Sequence, residues 1–522
     1  MSPCLGDEIR VRLFAPHRRA KIGRMVMNDA NPSRRRDADC IVIGGGPAGT
    51  TAATLLAQRG RHVVLLERSS VPRFHIGESL MPETYWTLQR LGMLDKLKAS
   101  QFPRKYSVQF VNDQGKESTP FYFFETNPHE SSVTWQVWRA DFDRMLLDNA
   151  REHGVEVRTQ SRVTEVLFDE NRAVGVRVVS GDARSPSGLI SLREPAASRT
   201  AAEATSAAVR IASAGDPCDR TDDALLASTS SGNDGDEIFA PVVVDASGQS
   251  SLLANRLGLR RFDPRLRNGA VWTYYRGASR EPGIDEGATL VLHTCERKGW
   301  FWYIPLPDNV VSIGVVASIE YLLQGRGEPE QIFHQELDRC ASAKERVTLG
   351  QQFGPYFVTR DFSYVADRCS GPGWVLVGDA LCFLDPIYSS GVFLSFKSGE
   401  WAADAIHQAL ERDDFSAEQL GGWGPKFLKG MDSIRKLVYA FYTPGFSFGA
   451  FIRQHPDQKK NLVDLLIGDV YKDGVDEIFK LMNLCFDFHL DHGNTRTVFN
   501  RSETTHDLLP LREADDRGQS PV

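Results

Sequence analysis

No C-x-x-C pair occurs anywhere in this chain, whose eight cysteines (4, 40, 218, 295, 340, 369, 382 and 485) are scattered. That spacing argues against a disulfide framework or a structural zinc, so no metal is expected, and it fits thiols kept reduced in a cytosol. Nor does any stretch approach the roughly 18 consecutive apolar residues of a membrane helix. The first 36 residues lack the apolar core of a signal peptide. A cytoplasmic protein with no integral membrane segment is the expectation. Positive charge is not in excess, since 61 Lys and Arg stand against 68 Asp and Glu for a net −7, which gives no reason to expect a nucleic-acid partner. Internal repeats are missing as well, and with them the solenoid architectures.

What is present is a chain of 522 residues with 41% hydrophobic content, long enough for two or three lobes. Nine Lys and Arg against Asp7, Glu8 and Asp29 make residues 1–36 a basic leader of net +6, leaving −13 for the rest. Asp39–Gly44 reads as a buried strand, Pro47–Arg59 as a helix and His62–Leu66 as a second strand, a βαβ unit. A helix follows from about Leu80. Strands are expected at Ser107–Val111, Phe121–Phe124 and Val133–Trp138, a helix at Arg139–His153, and a hairpin at Val163–Phe168 and Ala173–Val179. Residues 181–236, rich in Ala, Ser, Thr, Asp and Gly with no apolar period, read as a disordered insertion. Strands resume at Ile238–Asp245, Gly269–Arg276, Ala288–His293, Gly299–Pro305, Val310–Ala317, Phe362–Val365 and Trp374–Val377. Helices are expected between Ala317 and about Lys344 and again from Gly391 to about Leu490, before a polar tail.

Three strand ends carry chemistry. In Gly44-Gly45-Gly46-Pro47-Ala48-Gly49 the glycines stand where a backbone turns tightly, approaches a pyrophosphate and lets a helix pack on a strand. The helix N-terminus then faces the anion. Glu67 closes the second strand, placed to accept from a ribose hydroxyl pair, with Arg68 beside it. Far along the chain, Asp245-Ala246-Ser247-Gly248 and Gly378-Asp379-Ala380 each follow an apolar strand. No second G-x-G-x-x-G unit offers a home for a stably bound nicotinamide.

These motifs together resemble the flavin-dependent halogenases, related in fold to the single-component aromatic hydroxylases, over roughly residues 38 to 410. Trp300-Phe301-Trp302-Tyr303-Ile304-Pro305 matches the family's W-x-W-x-I-P. Alternate tryptophans on a strand project to one face and can wall a flavin off from an organic substrate. Lys105, at the entrance of the strand following Phe102-Pro103-Arg104, is the residue that matches the family's catalytic lysine. Arg73-Phe74-His75-Ile76-Gly77-Glu78-Ser79 is similar to the strap linking the flavin and substrate sites. Asp385-Pro386-Ile387-Tyr388-Ser389-Ser390-Gly391 feeds a helix N-terminus, where backbone N–H groups favour an anion such as chloride.

The resemblance implies an α/β fold: an FAD-binding Rossmann-type module (37–105, 139–180, 237–265 and 361–410), an inserted mixed β-sheet substrate domain (106–138 and 266–360) and a helical C-terminal region (411–493), with a tail from 494 to 522. It implies Lys105, Trp300 and Trp302 as catalytic, and Ser390 and Gly391 as halide-binding. For FAD it implies Gly44, Gly46, Pro47, Ala48, Gly49, Glu67, Arg68, Ile76, Gly77, Glu78, Ser79, Arg139, Asp245, Gly248, Gly378, Asp379, Pro386 and Gly391. The implied reaction takes FADH2 from a separate flavin reductase, with O2 and chloride or bromide as co-substrates, to halogenate an electron-rich aromatic. Tyr388 stands where tryptophan halogenases carry a glutamate, which points to a phenolic or pyrrolic substrate, free or carrier-protein-bound. A flavin monooxygenase that transfers oxygen directly, a flavin reductase of the same fold and a silent FAD-binding scaffold remain the alternatives, and halide dependence separates a halogenase from the first two.

Overall fold

The apolar runs Cys40–Ile43 and Val63–Leu66 are buried at every position, as parallel strands covered on both faces must be. A computed structural model describes residues 36–125, 127–181, 235–360 and 362–485. The expectations for the basic leader up to residue 35, for the insertion from 182 to 234 and for the chain beyond 485 lie outside the described residues. Cys40–Ile43 pairs in parallel with Val63–Leu66 on one side and Val243–Asp245 on the other. Trp374–Leu376 and Glu156–Arg158 continue the parallel sheet, and Ser370–Gly371 closes one edge antiparallel. Parallel pairing puts the ends of three distant strands, at Gly44, Ala246 and Val377, along one edge, where open α/β sheets bind ligands.

The Pro47–Gln58 helix leaves the first strand with proline in its first turn and packs on the long Ser390–Arg412 helix. Gly399 makes that contact possible, because a Cβ there would lie 2.6 Å from the Ala48 carbonyl oxygen.

A second, seven-stranded sheet runs in the spatial order 351–360, 268–276, 310–318, 299–306, 289–293, 107–111, 121–122. Its central strands Gly299–Leu306 and Val310–Ser318 are buried almost throughout. Alternation divides their side chains: Trp300, Trp302 and Ile304 join the large core shared with the first sheet, while Phe301 and Tyr303 enter a separate core that includes Phe333. The C-terminal region continues through helices Ala417–Gly421, Gly424–Tyr442, Phe448–Gln454, Lys459–Ile467 and Glu477–Cys485. No described helix is long and apolar enough to cross a membrane.

Four expectations need correction. The strand read as Ile238–Asp245 is two strands in different sheets: Asp236–Phe239 pairs antiparallel with Arg172–Ser180, and Val243–Asp245 joins the parallel sheet. Pro241, with no N–H to donate, stands where the chain changes sheets. A ten-residue strand, Gln351–Arg360, went unread because Gly354 and Pro355 interrupt its pattern; as an edge strand it tolerates both. The helix expected from Leu80 begins at Thr84, since the Leu80 N–H donates to the Trp135 carbonyl and holds the chain extended. Only Thr134 and Trp135 of the strand read at Val133–Trp138 pair as a strand, with Arg104–Lys105.

Candidate functional site

The turn after the first strand is built of three glycines with three different reasons. Gly44 has φ +107°, and a Cβ on it would meet the Ala246 carbonyl oxygen at 2.3 Å. Gly49 allows helix and strand to touch, because its Cβ would fall 2.0 Å from the Gly44 carbonyl oxygen. Gly46 is different: its backbone is extended, and the nearest atom to a Cβ there would be an Arg73 guanidinium nitrogen at 3.7 Å. The space in front of Gly46 is therefore open at the N-terminus of the Pro47–Gln58 helix, whose residues Pro47 and Ala48 carry orphan first-turn positions.

Glu67 does more within the chain than expected. Its carboxylate accepts from the Gly45 N–H at 2.8 Å and the Ser69 N–H at 2.9 Å, with Arg73 at 3.4 Å, leaving only part of its acceptor capacity for a ribose. Arg68 is exposed beside it. Asp245 is committed: its carboxylate caps its own loop through the Ser247 N–H at 2.9 Å and the Leu253 N–H at 2.7 Å. Gly248, at φ +67°, has open space around it. Gly378 sits against the Ala48 side chain, and Asp379 next to it, part-buried, has no hydrogen bond to its carboxylate among the described residues. Burial pushes Asp379 up to about 7, with Arg139 and Arg260 pulling the other way. An open glycine at a helix N-terminus, a carboxylate at the second strand end and an unpartnered acid across from them fit a flavin dinucleotide.

The strap holds itself by its backbone. Arg139 donates to the Ile76 carbonyl and, at 3.5 Å, to the Gly77 carbonyl, while its guanidinium pairs with Asp143 at 2.9 Å. The side chains of Glu78 and Ser79 point to opposite sides. Glu78 accepts from the Tyr274 hydroxyl at 2.8 Å, and burial raises its carboxyl to about 7. Ser79 meets Lys105: the ammonium nitrogen lies 2.9 Å from the Ser79 hydroxyl and 3.3 Å from the Leu80 carbonyl. Lys105 is 4% exposed, with its nitrogen 5.6 Å from the centre of the Phe123 ring. Burial with no compensating charge lowers it to about 7, so near neutrality a large share of this amine is unprotonated.

Trp300 and Trp302 stand side by side with ring centroids 6.4 Å apart. The Trp302 indole donates to the Ser312 hydroxyl at 3.1 Å, and the Trp300 indole donates to the Tyr442 hydroxyl at 2.8 Å. Tyr442 in turn donates to Asp385, the first residue of the 385–391 loop, at 3.1 Å. Asp385 is buried, also accepts from Asn268 at 3.1 Å and Ile387 N–H at 3.0 Å, and is raised by burial to about 6. After Pro386, Ser389 turns the chain in the left-handed region at φ +58°, and Ser390 and Gly391 open the long helix, their N–H groups in the first turn without intrahelical acceptors. Tyr388 is buried, its hydroxyl 3.2 Å from the Leu437 carbonyl.

Sequence reasoning missed Tyr442, Asn268 and Tyr274. The last helix of the site, Gly424–Tyr442, reads as an ordinary amphipathic helix, and nothing in its spacing marks Tyr442 as reaching Trp300 and Asp385. Among the described residues no group of His, Cys, Asp and Glu could hold a metal ion.

Residues 37–185 match a family model described as an FAD binding domain, and residues 199–448 match one described as tryptophan halogenase. The flavin-dependent halogenase armH3 of Armillaria mellea is 31% identical over 389 residues, covering 71% of this chain and 68% of that protein. The 1H-pyrrole-2-carbonyl peptidyl-carrier protein chlorinase of Pseudomonas fluorescens is 27% identical over 455 residues, 83% of this chain and 90% of that protein. Among solved structures, the flavin-dependent brominase Bmp2 superposes with a TM-score of 0.70 at 25% identity, over 86% of this chain and 98% of that one.

Proposed function

The chain belongs to the flavin-dependent halogenases, and from that premise we propose that it halogenates an electron-rich phenolic or pyrrolic ring, free or held on a carrier protein. The observation that carries the reading is the buried, uncompensated amine of Lys105. Tyr388 supports the substrate class, since the resemblance in the 385–391 loop implies a glutamate at this position in tryptophan halogenases. The chlorinase relative that spans most of this chain is named for a pyrrole on a peptidyl carrier protein.

Reduced FAD supplies, with O2, the two-electron oxidation that converts halide to hypohalous acid. Its electrons come from a separate flavin reductase. The turn at Gly44, Gly46 and Gly49 and the start of the Pro47–Gln58 helix would hold the diphosphate of FAD, with Asp379 as a further contact for the cofactor. The first-turn N–H groups at Ser390 and Gly391 attract halide. Trp300 and Trp302 close the space against bulk water and keep the substrate ring away from the flavin. Lys105 then receives the oxidant. Its unprotonated amine either accepts a hydrogen bond from hypohalous acid or displaces hydroxide from the halogen, giving an N–halo amine and, with the amine proton, water. The ring attacks that halogen, its own proton leaves, and the amine is restored. The protein's contribution is confinement and aim.

The test is an assay with a flavin reductase, O2, chloride or bromide, and a panel of phenols and pyrrolyl-carrier proteins, with products read by mass spectrometry. Halide-dependent, regioselective halogenated product is expected. Hydroxylated product formed equally without halide would refute the reading.

A further inference from the structure

Lys105 does not end at Ser79. The Ser79 hydroxyl lies 3.0 Å from the Thr289 hydroxyl, and the Gln136 side-chain amide nitrogen lies 2.8 Å from Thr289 and 2.9 Å from the Gly287 carbonyl. All four side chains are nearly inaccessible: Lys105 4%, Ser79 3%, Thr289 4% and Gln136 0% exposed. Ser79 and Gln136 face each other in an antiparallel bridge, and Thr289 is the first residue of the Thr289–His293 strand of the seven-stranded sheet.

The direction of this chain follows from what each group can do. A backbone carbonyl only accepts, so Gly287 requires the Gln136 NH2 and not its oxygen to face it, and the same NH2 then donates to Thr289. With that donation in place, the Thr289 proton has one remaining partner among the described residues, Ser79. The Ser79 proton likewise has one, the Lys105 nitrogen. With its nitrogen 2.9 Å from the Ser79 hydroxyl and 3.3 Å from the Leu80 carbonyl, an unprotonated Lys105 completes the series by donating to Leu80 and accepting from Ser79. An ammonium breaks it. Lys105 must then donate to Ser79, and one hydroxyl proton, on Ser79 or on Thr289, is stranded in a dry interior, which is costly.

We propose that Gln136 is a positioning residue for halogen transfer: by donating to Thr289 it directs the Thr289 proton onto Ser79, so that Ser79 has no acceptor but the Lys105 amine, which is held unprotonated with its lone pair fixed in direction. This deepens the reading of Lys105 given above and rests on it. The lowered proton affinity of Lys105 is in keeping with the arrangement. Among the described residues no carboxylate is hydrogen-bonded or ion-paired to Lys105. Glu78 on the strap accepts from Tyr274, Asp285 on the 283–287 turn from Ser107 and Tyr122, Glu130 from Tyr85 and Lys98, and Glu125 pairs with Lys459. Arg104 beside Lys105 is exposed.

The experiment is a pH titration of the protein labelled with 13C at the lysine ε-carbon, followed by NMR, with the Lys105 resonance assigned by its loss in Lys105→Arg. The wild-type midpoint is expected near neutrality. Gln136→Glu replaces the donor at the head of the chain by an acceptor, so both hydroxyls can reverse and serve the ammonium, and the midpoint should rise by about one pH unit or more. Adding Thr289→Val to that variant cuts the connection and should remove most of the rise, whereas a through-space charge effect would survive it. Thr289→Val alone should leave the midpoint close to wild type, because Ser79 is then still left with no acceptor but Lys105. An unmoved midpoint in Gln136→Glu, or a rise that persists in the double variant, overturns the proposal. Should the variants fail to fold, neutron diffraction of the wild-type protein above its titration midpoint decides instead: the Thr289 deuteron should point to Ser79 and the Ser79 deuteron to Lys105, and the reverse orientation overturns the proposal. None of these measurements requires turnover, so product formation by Lys105→Ala would sink the catalytic reading and leave the titration to stand or fall by itself.

Discussion

Two glycines three residues apart should respond in opposite ways to the same added methyl. At Gly49 an alanine Cβ would sit 2.0 Å from the Gly44 carbonyl oxygen, with Ala246 Cβ and Val42 Cγ1 both at 3.1 Å. The nearest of the three is a backbone atom of the turn, so the helix must move away by more than 1 Å, on the order of the difference from a normal ~3.5 Å contact. Overpacking of this kind costs about 3 kcal/mol, against about 1 kcal/mol gained in helix propensity. At Gly46 the nearest atom would be 3.7 Å away and the backbone is extended, so Gly46→Ala introduces no strain and should stabilise the apoprotein by about 0.4–1 kcal/mol. Its methyl nevertheless fills the space where a diphosphate meets the helix N-terminus. FAD affinity, read by quenching of flavin fluorescence, should fall at least tenfold, or about 1.4 kcal/mol, while the melting temperature of the apoprotein holds or rises. Gly49→Ala should lose both stability and flavin. Wild-type FAD affinity in a well-folded Gly46→Ala would refute the placement of the diphosphate.

With one dinucleotide fingerprint in the sequence, NADPH alone should bleach the bound flavin slowly in stopped-flow absorbance, and fast bleaching without a reductase would favour a hydroxylase-type cycle. Asp379 gives a pH signature. Its folded carboxyl is raised to about 7 from an unfolded value of 3.8, so between those limits the native state holds more protons and apoprotein stability should fall as pH rises. Asp379→Asn should flatten that part of the melting-temperature profile, and an unchanged slope would contradict the assignment. Residues 182–234 leave and re-enter next to each other, because Asp236 pairs with Val178. A short Gly/Ser linker in their place should yield soluble yellow protein, and its loss would show that the segment stabilises the fold.

The parts of this site that could be read from sequence are those where one residue type has few substitutes. Gly44 and Gly49 advertise themselves because backbone geometry demands glycine there, whereas the alternating tryptophans and the Asp385-Pro386 turn stand out through their resemblance to the family's motifs. What stayed hidden depends on pairing across the chain. Gln136 and Thr289 are 153 residues apart, and Tyr442 reaches Asp385 over 57 residues, and no local pattern distinguishes such polar side chains from solvated ones. Asp245 shows a related ambiguity: a strand-end acid looks the same in sequence whether it meets a ligand or caps its own loop, as its carboxylate does here. Pro241 and Pro355 were the local signals that bore on the two misread strands, and each marks a place where tertiary pairing overrode the apolar pattern.

The most direct measurement of the central claim compares oxidant formation with oxidant use in Lys105→Ala. Flavin reoxidation and halide consumption are followed beside the yield of regioselective product, with Lys105→Arg and Lys98→Ala as companions; Lys98 is a surface lysine paired with Glu130. The account predicts near-normal FAD binding, reoxidation and halide consumption in Lys105→Ala with regioselective product abolished. Lys105→Arg should fail too, because a guanidinium stays protonated, while Lys98→Ala should keep product. Halogenated product from Lys105→Ala at near wild-type rate would contradict it.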